Sequence, residues 1–169
     1  MSQTVASGRR FGLTADTHDD LVDWPVILAA LKASWGGIDA ILHCGDITSA
    51  AALDSLAAIA PVFATRSDGD PPADAPRLSD GPRVLNVDGV RVGLTFALPE
   101  EAKTAEGAAR LFGEPVAACI YGGTHAAEVG DRGGVLFVNP GSPSLAKLRT
   151  TAVLTIEAGR ASAEIIELA

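Results

Sequence analysis

Residues 10–46 read RFGLTADTHDDLVDWPVILAALKASWGGIDAILHCGD, and this stretch decides the fold. Residues 10–15 are a short β-prone run that stops abruptly at Asp16-Thr17-His18-Asp19-Asp20. Residues 24–34 carry apolar side chains at helical spacing, with Asp23 placed to cap the start and Gly36-Gly37 beyond the end. Residues 39–44 (DAILHC) form a second buried strand that runs into Gly45-Asp46. Strand, helix and strand in this order predict a parallel pair with a helical crossover.

Outward from this unit, residues 49–60 read as a second helix and residues 61–65 as a third strand. Residues 66–83 concentrate Pro and Asp and are expected to be a loop between core segments. Residues 83–87 and 90–96 flank Asp88-Gly89, a strong hairpin signal. Residues 99–112 are expected to be one helix opened by Pro99. Residues 116–121 predict a buried strand ending at Gly122-Gly123-Thr124-His125, and residues 135–139, 152–157 and 161–168 predict three more. A parallel first half and a β-rich second half point to two packed sheets with helices outside.

The length of 169 residues suits one domain, 1–169, with its own core. Residues 1–8 are small and polar, lack the apolar centre of a secretory signal, and read as a loose tail. No apolar run approaches the roughly 20 residues of a membrane span, so the expected location is the cytoplasm, off the membrane. A net charge of −8 repels polyanions and argues against non-specific nucleic-acid binding. Cys44 and Cys119 are expected to be reduced and buried.

Several strand ends carry groups that can do chemistry. Asp16 and His18, two apart, project to one side if the chain stays extended, and a carboxylate with an imidazole suits Fe, Mn or Zn. Taken alone, the pair reads first as a surface Asp beside a loop His. Gly45-Asp46 allows a sharp turn with a carboxylate at a strand end, where ligands of open α/β sheets sit; it is also a common turn. His125 follows another buried strand, and residues 139–143 (NPGSP) make a rigid turn after a further one. His43 reads as a satisfied core or rim histidine. Arg66 reads as a phosphate contact or a solvated loop residue. Asp19, Asp20, Asp70 and Asp74 either crowd a cleft rim or cap turns.

Taken together, Asp16-Thr17-His18, Gly45-Asp46, residues 122–125 and residues 139–143 resemble the compact YfcE-like branch of the calcineurin-like metallophosphoesterases, over nearly the whole chain. The resemblance implies an α/β fold, an αββα sandwich of two mixed sheets flanked by helices, with metals at one edge. It implies that Asp16, His18 and His125 hold a first metal and that Asp46 is the carboxylate shared between two metals. The second set departs from the family. Asp68 stands where the family's G-N-x-D has its ligand Asn; Phe96 and Leu98 replace the imidazoles of T-H-G-H; Gly123 replaces the first His of G-H-x-H. Asp46 and Asp68 alone hold a divalent ion poorly, so one Mn, Fe or Zn per chain is expected, with Asp68 a candidate extra ligand if it leans toward that ion.

Two functions follow. In the first, the chain hydrolyses a small phosphate ester, of phosphodiesterase or phosphatase type, through metal-bound hydroxide with reduced activity. In the second, it is a catalytically inactive binding or scaffold module with a protein partner, similar to the retromer subunit of this fold.

Overall fold

The computed structural model describes residues 3–4, 9–74 and 77–169. Gln3–Thr4 (β1) pairs in parallel with Leu85 and Asn86. This part of the expected loose tail is therefore a strand, and the rest of residues 1–8 lies outside the described residues. β2 (Arg10–Thr14), α1 (Trp24–Trp35), β3 (Ala40–Cys44), α2 (Ala50–Ala57) and β4 (Val62–Thr65) follow, and β2, β3 and β4 pair in parallel. Within the Pro- and Asp-rich segment a short β5 (Leu78–Ser79) adds to β4, so the segment is not loop throughout.

The second sheet begins with the hairpin β6 (Arg83–Val87) and β7 (Val90–Thr95). Asp88 and Gly89 both have positive φ, 49° and 87°, as a two-residue turn of this type requires. The expected helix over residues 99–112 is broken. Pro99 opens a single 3-10 turn at Glu100–Ala102, and α3 (Ala105–Phe112) starts afresh. The break lies at Thr104, which is extended and accepts the Gly107 N–H on its side chain at 3.0 Å, a cap that starts the new helix. β8 (Ala118–Tyr121), β9 (Glu128–Arg132) and β10 (Val135–Asn139) complete this sheet. β11 (Thr150–Glu157) and β12 (Arg160–Glu167) return to the first.

The sheet orders are β1-β6-β7-β8-β10-β9 and β12-β11-β2-β3-β4-β5. Both are mixed, and the αββα sandwich is what the chain forms. Phe11, Leu13, Leu42, Leu94, Ile120 and Leu154 fill the layer between the sheets. α1 and α2 cover the outside of one sheet through Ile27, Leu31, Trp35, Leu53 and Leu56, and α3 covers the other through Ala108 and Phe112. Asp23 takes the N-cap position of α1 but its side chain makes no cap bond; Pro25 in the first turn sets the helix instead. Both cysteines are buried free thiols. Among the described residues no helix is long and apolar enough to cross a membrane.

Candidate metal centre

The parallel strands of the two sheets end at the same edge. β2 runs into Asp16, β3 into Gly45-Asp46, β8 into residues 122–125 and β10 into residues 139–143. The sheets abut there so closely that a Cβ on Gly122 would lie 2.7 Å from the Ala15 Cβ and 2.8 Å from the Cys44 carbonyl. Gly122→Ala is expected to cost about 2 kcal/mol through this clash, measurable as a lower denaturant midpoint at unchanged slope.

Asp16, His18, Asp46 and His125 come together, their ligand atoms all within 4.8 Å of one another. His18 Nε2 lies 3.2 Å from Asp46 Oδ2 and 3.3 Å from His125 Nε2, and His125 Nε2 lies 3.8 Å from Asp16 Oδ1. All four residues have positive φ, between 43° and 60°. The extended geometry expected for Asp16 and His18 is therefore wrong. Each stands in a left-handed kink, and the kinks, not strand alternation, turn the side chains inward. Such backbone is costly for non-glycine residues and gathers where surrounding structure enforces it.

Hydrogen bonds do the enforcing. The Asp16 N–H donates to the Gly45 carbonyl and the His18 N–H to the Asp46 carbonyl, each at 3.0 Å. Buried His43 stands beneath these loops. Its Nδ1 accepts the Gly45 N–H at 3.2 Å, which leaves the proton on Nε2 to meet Thr17 Oγ1 at 3.0 Å; Thr17 in turn donates to the Asp46 carbonyl at 3.1 Å. His43 is the satisfied core histidine of the sequence reading, and burial lowers its pKa to about 4. In unfolded chain it titrates near 6.5. The folded state therefore resists protonation, and stability present above pH 6.5 falls as pH drops toward 4. Relative to His43→Gln, wild type should lose about 3 kcal/mol across that window, read from urea midpoints at each pH.

The turn at residues 139–143, whose role the sequence did not reveal, latches the loops from the other side. Ser142 Oγ donates to the Asp16 carbonyl at 2.8 Å and Ser144 Oγ to the Thr17 carbonyl at 2.6 Å. Asn139 Nδ2 donates to Thr124 Oγ1 at 2.9 Å. The Leu145 carbonyl lies 2.9 Å from His125 Nδ1 and can accept only a proton, so His125 Nε2 keeps its lone pair toward the cluster. The Gly123 N–H reaches both oxygens of fully buried Asp16, at 3.1 and 3.0 Å. Burial nevertheless pushes the Asp16 carboxyl up to about 7, with Asp46 adding to the rise and Gly123 and His125 opposing it.

This donor set fits a borderline divalent ion. Two imidazole nitrogens and two carboxylate oxygens bonding at about 2.1 Å would lie about 3.4 Å apart around a tetrahedral ion, and the closest pairs are at 3.2 and 3.3 Å. A cation is also the partner that would let buried Asp16 ionise at neutral pH.

The remaining predicted positions lie otherwise. Asp68 is exposed and outside the four-residue cluster. Leu98 packs with the apolar residues under α3. The Phe96 ring lies between two glycines: a Cβ on Gly45 would be 2.3 Å from it and one on Gly123 3.5 Å. Beside the cluster is a cleft of about 330 Å³ lined by Asp46, Arg66, Ser67, Asp68, Asp80 and Phe96. Arg66 turns its donors onto its own loop, to the Asp70 and Pro71 carbonyls and to Asp80. Asp19 accepts the Thr48 N–H and the Ser49 hydroxyl from the loop before α2, and Asp74 forms an ion pair with Arg77. Asp70 is different: it is buried and accepts the N–H groups of Asp46 and Ser67.

Comparisons with known proteins bear on the family and the fold. Residues 10–159 match the calcineurin-like phosphoesterase superfamily domain. A probable metallophosphoesterase of Methanocaldococcus jannaschii is 29% identical over 152 residues, which cover 86% of this chain and 75% of that protein. A structure described as a novel archaeal phosphodiesterase superposes with a TM-score of 0.71 at 20% identity, over 93% of this chain and 99% of that one. Wild-type Vps29 of Entamoeba histolytica, complexed with zinc, gives 0.64 at 19% identity over 94% and 98%. These structural likenesses carry the fold, and the domain match carries the family: the chain belongs to the calcineurin-like phosphoesterase superfamily.

Proposed function

We propose that residues 1–169 act as one cytoplasmic metal-dependent phosphoesterase domain, with one firmly held Mn, Fe or Zn at Asp16, His18, Asp46 and His125, hydrolysing a small phosphate ester. The observation that carries this reading is the convergence of four ligand atoms within 4.8 Å, each set by a left-handed kink. A divalent ion there supplies positive charge for the transferred phosphoryl group and a more acidic water. The chain's own part is to orient. Leu145 fixes the His125 tautomer, Gly123 aims Asp16, and His43 with Thr17 holds the loop of Asp46. The positions that resemble the family's second ligand set carry Asp68, Phe96, Leu98 and Gly123, and these support one ion in place of two. Purified protein should hydrolyse an aryl phosphodiester or phosphomonoester, and chelation should abolish the rate with recovery on adding Mn or Zn. A chelator-insensitive rate would reject the proposal.

A second reading is favoured by the cleft, where three carboxylates and the Phe96 ring stand beside one arginine already engaged with its loop. Such a lining repels a phosphate. In this reading the chain keeps the ion as a structural element and binds a protein partner. Absence of hydrolysis from ion-loaded, folded protein would select it.

A further inference from the structure

Asp46 has two carboxylate oxygens with different surroundings. Oδ2 faces His18 at 3.2 Å. Oδ1 accepts the Ser67 hydroxyl at 2.5 Å, and the same Ser67 Oγ accepts the Asp46 N–H at 3.1 Å. The hydroxyl has one proton; the Asp46 N–H is a donor, so the proton goes to Oδ1. A hydroxyl donating to an ionised carboxylate makes a charge-assisted bond. Asp70 fixes both partners by accepting the N–H of Asp46 at 3.1 Å and that of Ser67 at 2.9 Å through one oxygen. Ser67 is only 9% exposed, so water competes weakly for its hydroxyl. Ser67 stands at the Gly position of the G-N-x-D pattern that this stretch resembles.

We propose that Ser67 is a positioning residue that makes Asp46 a one-oxygen ligand: its hydroxyl holds Oδ1, aims Oδ2 at the site of His18, and keeps the carboxylate from bridging to a second cation. The proposal rests on the reading of Asp16, His18, Asp46 and His125 as a cation site. It adds a residue outside the ligand set to Asp68, Phe96, Leu98 and Gly123 as a cause of the single-ion character of that site. Without the hydroxyl, Asp46 turns freely about its last bond and offers both oxygens.

The test uses the full chain, titrated with Co²⁺ by calorimetry and visible absorption, in wild type and in two independent hydroxyl deletions, Ser67→Ala and Ser67→Gly. Wild type should take up one Co²⁺ per chain. Both variants should bind it about tenfold more weakly, the loss typical of an outer hydrogen bond to a ligand. Their visible bands should also weaken as Asp46 adds its second oxygen, a change that mere loss of stability does not produce. One Co²⁺ bound with equal affinity and identical bands in all three proteins would overturn the role of Ser67 and leave the cation site standing. No Co²⁺ bound by wild type would overturn both. Should the variants fail to fold, the infrared difference spectrum of wild type on adding Co²⁺ decides: widely split carboxylate stretches of one-oxygen ligation are expected, and narrowly split ones contradict the proposal.

Discussion

Asp46→Asn is expected to fold and to bind divalent ions far more weakly than wild type. Asn matches Asp in size and, like it, tolerates the left-handed backbone that Asp46 adopts at φ 58°. The backbone bonds of Asp46 to His18, Ser67 and Asp70 do not involve the charge and remain available. What disappears is one of two carboxylates in the proposed four-residue site. Affinity should fall by at least about 100-fold, about 3 kcal/mol. Any phosphoesterase rate should fall with it, while the denaturant midpoint of the metal-free protein changes little. Calorimetric titration with Zn²⁺ or Mn²⁺ alongside urea unfolding separates the two effects. Undiminished affinity would place the ion elsewhere.

The second large effect is a gain. Asp68→Asn, Phe96→His and Gly123→His restore three of the four second-set positions, and Ser67→Gly frees Asp46 Oδ1. The combined variant is expected to bind two ions where wild type binds one, and to hydrolyse aryl phosphates on the order of 100-fold faster, about 2.7 kcal/mol of barrier. The costly step is at Gly123, whose φ is 88°; a side chain there costs about 1–2 kcal/mol. Space is not the obstacle, since the nearest atom to a Cβ there is the Phe96 ring at 3.5 Å, and Phe96 is itself replaced. Two ions without a gain in rate would mean that the cleft is remodelled beyond its ligands, and would favour the binding-module reading.

Much of this architecture was legible in the residues. β2 and β3 stand out as buried runs that stop at Asp or Gly, β4 as a short buried run after Pro61, and the Asp88-Gly89 hairpin announces itself by its turn chemistry. What escaped did so for physical reasons. β9 (Glu128–Arg132) is polar and solvent-facing along most of its length and lies at a sheet edge, so it shows no hydrophobic alternation and is defined only by pairing with β10. The break before α3 depends on one side-chain cap at Thr104, a choice that composition does not reveal. In the site, the grouping of Asp16, His18, Asp46 and His125 followed from strand ends and the family pattern. Their left-handed backbone did not, because it is imposed by bonds from residues far along the chain, such as Ser142 to Asp16. The same distance hid Ser67 and Leu145. Asp68 drew notice as a carboxylate in the matching position, yet it is exposed and apart from the cluster, while its neighbours Ser67 and Asp70 make the bonds to Asp46.

The proposed chemistry rests on one ion in a four-residue site. Elemental analysis of the purified full chain, after dialysis against metal-free buffer and again after loading with excess Mn, Fe or Zn and desalting, tests it most directly. At most one firmly held ion per chain is expected in both samples, lost in Asp46→Asn. Two firmly held ions per wild-type chain would contradict it.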